Sequence, residues 1–281
     1  MLLSDNWIVA NLENAFNTWN DKMAEIWSLI TTSPQSFRGG AVWSIVEGIN
    51  GGLQAIGYGL LVLFFAMSVF KSTASFRDFQ RPEYALRHFI RFVAAKVAIT
   101  YAMDLMTAIY SICGGVVTQI ASSLGGIGAA SVTLPSVIET AVEDAGFWAS
   151  IPLWLVTILC SLFITIMSFI MIMSVYGRFF RLYMYTALAP VPLSSFAGEG
   201  TSEMGKHFVK SYVGVCLEGA VIVLACIIFS AFASTSTPTI DTSITTVTMI
   251  WKYIGEVAFN MLVLVGLIKG SDRLIKEMLG T

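Results

Sequence analysis

Five long apolar stretches, separated by gaps that are basic on one side and acidic or uncharged on the other, constrain this chain more than any other feature. The stretches are residues 54–70, 92–121, 147–176, 211–233 and 247–268. Each is near or above the roughly 20 apolar residues that a helix needs to cross hydrocarbon. The first gap is basic (Lys71, Arg77, Arg81, Arg87, Arg91) and the second acidic (Glu139, Glu143, Asp144). The third is basic again (Arg178, Arg181, Lys206, Lys210), and the fourth is rich in Ser and Thr with only Asp241. The tail carries Lys269, Arg273 and Lys276, so 12 of the 16 Lys and Arg residues fall on one side. The other four are Lys22, Arg38, Lys96 and Lys252. Cytoplasmic loops carry the excess of Lys and Arg, which predicts an outside N-terminus and a cytoplasmic C-terminus.

The expected fold is therefore all-α: a polytopic membrane protein with five spans. An N-terminal amphipathic helix and a Pro-broken re-entrant or interfacial segment complete it. Composition agrees, because charged residues are 12% of the chain, about half the usual share of a soluble domain. The expected division is an external helix and connector over 1–50 and a membrane domain over 51–281. Cytoplasmic loops are expected at 71–91 and 177–210. The start lacks the basic and apolar regions of a cleavable signal peptide, so the first span is expected to carry the N-terminal segment outside. Cys113, Cys160, Cys216 and Cys226 all fall in apolar stretches, where free buried thiols are expected.

Val9, Leu12, Phe16, Trp19, Met23, Ile26 and Ile30 recur at spacings of three and four, a helical stripe. Asn11, Glu13, Asn14, Asn17, Asn20, Asp21 and Glu25 occupy the other face, and Ser4 or Asp5 could cap the start. Such a stripe packs on its own protein's outer surface or forms a seam between subunits, and its presence favours an assembly component over a monomeric transporter. The polar face is acidic, unlike that of helices that float on anionic bilayers. Ser33-Pro-Gln-Ser and Arg38-Gly-Gly should end this helix. Residues 41–50 then either lie at the interface or extend the first span. Gly48 and Gly52 form a small-xxx-small pair.

Beyond the third span, residues 182–197 are apolar, uncharged and too short to cross. Pro190 and Pro192 lack backbone donors and should end any helix near Ala189. Broken backbone at membrane depth needs surrounding protein or a water-filled cavity, which predicts a buried element. Lys96, Asp104, Glu218, Lys252 and Glu256 lie within or at the edge of spans. Charges there pair between helices or line an aqueous path. No catalytic, cofactor or metal constellation emerges. His88 and His207 are the only histidines. The run Gly200-Thr-Ser-Glu-Met-Gly-Lys-His207 approaches a phosphate loop, but has His207 where a magnesium-binding hydroxyl belongs and no preceding strand.

The stretch Arg178-Phe-Phe-Arg-Leu-Tyr-Met-Tyr-Thr-Ala-Leu-Ala-Pro-Val-Pro-Leu-Ser-Ser-Phe-Ala-Gly198, with Gly205-Lys-His-Phe-Val-Lys-Ser-Tyr-Val-Gly-Val-Cys-Leu-Glu-Gly219 after it, resembles the TrbL family. These are polytopic membrane subunits of conjugative type IV secretion systems, here in a form similar to that of Gram-positive mobile elements. The resemblance spans about residues 40–280. Many members carry long soluble extensions, and none is expected in these 281 residues. It implies a non-enzymatic channel or scaffold component in the bacterial inner (cytoplasmic) membrane, without cofactors. It also implies a ring of copies in membrane lipid, with further secretion subunits, cytoplasmic ATPases and a coupling protein as partners. The cargo it implies is single-stranded DNA with its relaxase, bound without sequence specificity. A small-solute or ion transporter is the alternative, since broken helices and buried charges serve both. Five unequal spans do not divide into the inverted repeats common in transporters.

Overall fold

The computed structural model describes residues 5–73, 82–123, 132–143, 147–235 and 244–280. Ser4, Arg77, Arg81, Asp144 and Asp241, used above, lie outside the described residues. All regular structure among the described residues is helical. The helices are α1 (Asp5–Thr31), α2 (Ala41–Thr73), α3 (Pro82–Thr100), α4 (Ala102–Ser123), α5 (Ser136–Glu143), α6 (Phe147–Leu188), α7 (Pro190–Leu193), α8 (Ser202–Thr235) and α9 (Thr246–Leu279). Short 3₁₀ turns cover Phe37–Gly40 and Ser194–Ala197. Among the described residues, five helical stretches are long and apolar enough to cross a membrane: Phe37–Lys71, Ala102–Ser122, Ile151–Leu188, Ser202–Phe232 and Thr246–Leu279. The protein is thus an all-α, multi-pass membrane protein.

Several boundaries differ from those read in the sequence, each for a local reason. Residues 41–50 are the first turns of α2. The turn before them is made by Arg38, Gly39 and Gly40 at φ of 48°, 71° and 79°, the left-handed region that glycine enters without a Cβ clash. Tyr101 leaves the helical ladder intact: its N–H donates to Val97 O at 2.9 Å and its carbonyl accepts from Leu105 N at 2.9 Å. Helix α6 runs for 42 residues, through the basic pair placed in a loop at 177–210, because both arginines find partners inside the protein.

The chain forms two compact units, with α6, α8 and α9 each contributing to both. In the first (Met1–Thr31, Gln119–Tyr176, Val221–Ser271), the α1 stripe is buried by the chain itself. Leu12 is wholly covered, and Phe16, Trp19, Ile26 and Ile30 are at most 2% exposed, with Val9 and Met23 also buried. Trp7 meets Trp154 of α6, ring centroids 5.9 Å apart, and Tyr176 donates to Glu25 Oε1 at 2.9 Å. Asn20 clasps Val132 in both directions at 3.0 Å. Of the two roles left open for the stripe, packing on its own chain is the one this unit displays; a second copy would find those seven side chains already covered. Lys22 donates to Glu25 at 2.6 Å, and that hydrogen bond raises the Lys22 pKa above its ordinary value.

The second unit (Thr32–Thr118, Gly177–Ala220, Asp272–Thr281) has a core around Leu61, Ile99, Met106, Leu193, Tyr212 and Cys216. Helices α2 and α3 both pack against α7 and the 3₁₀ turn that follows it. Phe37 stacks on Phe179 at 4.5 Å. Tyr183 donates to Pro34 O at 2.9 Å and Tyr212 to Met106 O at 3.0 Å. Each buried phenol thus keeps a partner, as burial of a polar group demands.

Candidate functional site

The proline break in the second unit gathers most of the distinctive chemistry. In an uninterrupted helix, residue 190 would donate its N–H to Thr186 O. Proline cannot, and the structure supplies another donor. The Asn50 Nδ2 of α2 reaches Thr186 O at 2.7 Å, with Asn50 fully buried. The chain does not unwind after Leu188. Ala189 keeps helical angles (φ −50°, ψ −40°), and Pro190 opens a new turn in which Leu193 N donates to Ala189 O at 3.1 Å. Proline suits the first turn of a helix because its fixed φ is already helical. So the break acts as a kink with a fresh start. Extended backbone returns only at Gly198 (φ −101°, ψ 141°).

Helix α2 follows this element along one face. One heptad beyond Asn50 sits Gly57, where a Cβ would lie 2.8 Å from Pro190 O. Phe64 O comes within 3.2 Å of a Cβ built at Gly198. Ser68 Oγ accepts from Glu199 N at 3.2 Å and lies 3.3 Å from Nδ1 of His88, a buried histidine. Arg91 Nη1 pairs with Glu199 Oε1 at 3.1 Å, with Arg87 Nη2 at 3.9 Å. The broken segment is therefore buried in its own unit: Ala189, Leu193, Ser194, Ser195 and Ala197 have no exposed surface.

The phosphate-loop-like run has a packing explanation. Ser202 onward is the start of α8, and a Cβ at Gly205 would come within 2.9 Å of the Phe196 ring. Lys206 pairs with Glu203 of its own helix at 2.7 Å. These residues form a helix with a close-packed glycine, not a phosphate cradle.

Of the five membrane charges, Glu218 alone joins an ion pair among the described residues. Arg181 Nη2 donates to both its oxygens at 2.8 and 2.7 Å, and Nη1 reaches Asp272 Oδ1 at 2.6 Å. Lys276 holds the other Asp272 oxygen at 2.8 Å. One guanidinium thus ties α6 to α8 and α9. Arg178, one turn before Arg181, is 1% exposed. It donates to Val215 O at 3.3 Å and Cys216 O at 3.5 Å. Gly219 gives it room, since a Cβ there would sit 2.6 Å from Arg178 Nη1. The sequence reading placed both arginines on a cytoplasmic surface. The signal that could have found them is Glu218 beside Gly219 on α8, an anion and a gap in an apolar helix. Lys96 and Asp104 are exposed and remain apart, as does Lys252; Glu256 is half-buried.

Residues 19–190 match the family model described as TrbL/VirB6 plasmid conjugal transfer like protein. That match covers more than half of the 281 residues. The chain belongs to the TrbL/VirB6 conjugal transfer family. No curated protein and no solved structure matches the chain. As a TrbL/VirB6-like protein it is a component of conjugal transfer machinery in a membrane. The matched region contains α2 to α6, including Asn50, Gly57, Lys96 and Asp104, and ends at Pro190, where the kink begins. Helices α8 and α9, with Glu218, Lys252 and Glu256, lie beyond it.

In α9 of this TrbL/VirB6-like chain, the uncharged run between Glu256 and Lys269 is the 12 residues 257–268. That is well short of the roughly 20 needed to cross. The C-terminal side adds Lys269, Asp272, Arg273, Lys276 and Glu277, so crossing with fewest charges takes Lys252 and Glu256 into the membrane. On insertion scales a central charge costs about 2.5–3.5 kcal/mol.

Proposed function

We propose that this chain is a non-enzymatic channel or scaffold component of a conjugative type IV secretion system in the bacterial cytoplasmic membrane. It assists passage of single-stranded DNA and its attached relaxase without reading sequence. Its N-terminus lies outside and its C-terminus in the cytoplasm, following the Lys and Arg asymmetry. It works as an assembly of several copies in lipid, beside other secretion subunits, with energy from cytoplasmic ATPases and a coupling protein. The observation that carries the reading is the proline kink. Within a conjugal-transfer family match, an apolar segment too short to cross is buried and clasped by α2 through Asn50, Gly57 and Ser68. Such a rigid, non-continuous element supports the wall of a conduit, where broken backbone is tolerated.

The test replaces Pro190 and Pro192 with alanine. Each change removes a helix penalty of roughly 3 kcal/mol, which favours a straight continuation of α6. Membrane levels should match the parent, because the five candidate spans keep their apolar length. DNA transfer between mating cells should fall at least tenfold. Parental transfer rates at parental membrane levels would overturn the conduit role.

A further inference from the structure

The core of the second unit holds a pair of thiols that the kinked element does not use. Cys113 of α4 and Cys216 of α8 come from distant parts of the chain, yet their side chains hydrogen-bond to each other. Cys216 also hydrogen-bonds Tyr212, one turn before it on α8. The guanidinium of Arg178 stands near both thiols, fixed by the carbonyls of Val215 and Cys216. A cation beside a thiol favours the thiolate, which is the nucleophilic form. Cys160 and Cys226 are buried as well, but among the described residues neither has a thiol or a cation beside it. Cys216 is fully buried, whereas Cys113 is 6% exposed. Gly114 and Gly115 follow Cys113, and a Cβ at Gly115 would meet nothing within 4 Å, so no side chain shields the helix surface there. Both thiols lie in candidate spans, Ala102–Ser122 and Ser202–Phe232. A small uncharged oxidant enters such a site, and a bulky or charged reagent does not.

We propose that Cys113 and Cys216 form a peroxide-oxidisable thiol pair, whose disulfide fastens α4 to α8. Cys113, the more accessible of the two, reacts first. Its sulfur attacks one oxygen of hydrogen peroxide, an S–O bond forms and the O–O bond breaks. The departing hydroxide takes up the Cys113 proton and leaves as water. The Cys216 sulfur then attacks the sulfenic sulfur of Cys113. The S–S bond forms, the S–O bond breaks, and a second water leaves with the Cys216 proton. Two thiols together lose two electrons and two protons, and one peroxide is reduced to two waters. Closing the bond draws the sulfurs from hydrogen-bond contact to about 2.05 Å. The crosslink sits beside the carbonyls that Arg178 grips and within the core that contains Ala189, Leu193 and Ala197 of the kinked segment. It therefore makes permanent a contact that packing alone holds in the reduced chain.

The experiment uses the full chain in native membranes treated with hydrogen peroxide. The membranes are then denatured, and remaining thiols are counted by the gel shift of a polyethylene-glycol maleimide. The parent chain has four thiols and should carry four labels before treatment and two after it. Dithiothreitol should restore all four. The oxidised chain should run as a monomer on non-reducing gels, and peptide mass mapping should find the Cys113 peptide joined to the Cys216 peptide. Removing the other two thiols, Cys160→Ser with Cys226→Ser, should leave the linkage unchanged. In Cys216→Ser the sulfenic acid has no thiol to meet, so the dione dimedone should trap it at Cys113. In Cys113→Ser the three remaining labels should persist at least tenfold longer than the two that the parent loses. The exposed thiol of Met204→Cys sets the dose. Four labels kept by the parent at a peroxide dose that oxidises Met204→Cys would overturn the proposal. So would equal loss from all four cysteines, or a linkage that joins any other pair or two chains.

Discussion

Asn50 carries the chemistry of the kink in one hydrogen bond. It replaces the N–H that Pro190 lacks, and it does so at 2.7 Å from a fully buried position. Asn50→Ala leaves Thr186 O with only the longer bond from Ala189 N at 3.4 Å, and losing the shorter of its two hydrogen bonds costs about 0.5–1.5 kcal/mol. Pro190→Ala restores a backbone N–H in the helical position to bond the same carbonyl. The two changes should therefore be non-additive. In detergent-solubilised protein, Asn50→Ala alone should lower the unfolding midpoint. Asn50→Ala combined with Pro190→Ala should lower it less than the sum of the single effects, by a coupling of about 1 kcal/mol. Strict additivity would show that the asparagine and the proline are not partners. The proline pair was legible in the sequence as a break. Asn50 was not, because a single amide within a glycine-rich apolar run gives no hint of a carbonyl 136 residues away.

At the scale of elements, the kink depends on how closely α2 approaches it. The approach is set by Gly57, whose absent side chain leaves room for Pro190 O. Gly57→Ala puts a methyl 2.8 Å from that backbone oxygen, so helix or kink must shift, at a cost of about 1–3 kcal/mol typical of overpacking. Gly59, two residues on, meets nothing within 4 Å. Gly59→Ala gains up to ~1 kcal/mol of helix propensity instead. Thermal melting in detergent should move down for Gly57→Ala and stay level or rise for Gly59→Ala, and equal shifts would refute a close-packed kink. The glycines of α2 were readable as a small-residue run, but the sequence pointed to Gly48 and Gly52, which have nothing near their Cβ positions. Spacing tells where a helix surface is flat; it does not tell which part of that surface is covered. The α1 stripe shows the complement. Its period of three and four was plain in Val9, Leu12 and Phe16, while the identity of the covering surface needed the fold.

For the whole molecule, the number of spans followed from apolar length and the helical class from periodicity, both local properties. The extent of α6 did not, because Arg178 and Arg181 look like surface charges until Glu218, Asp272 and two carbonyls of α8 are placed around them. This matters for sidedness, since two of the basic residues counted toward the cytoplasmic side are committed inside the protein. Removing them leaves Lys71, Arg87, Arg91, Lys206, Lys210, Lys269, Arg273 and Lys276 among the described residues still on the basic side, so the asymmetry on which the proposed orientation rests survives. The chain should then expose Ser36 and Ser136 outside the cell, and Met204 and Met278 inside. Both methionines are exposed, as are Ser36 and Ser136, and the four native thiols are buried, so the parent chain gives the background. Single cysteines at these four positions, treated in intact cells with an impermeant maleimide, should label at Ser36 and Ser136 only. Met204→Cys and Met278→Cys should label once the membrane is opened. Labelling at Met204→Cys in intact cells would invert the proposed topology.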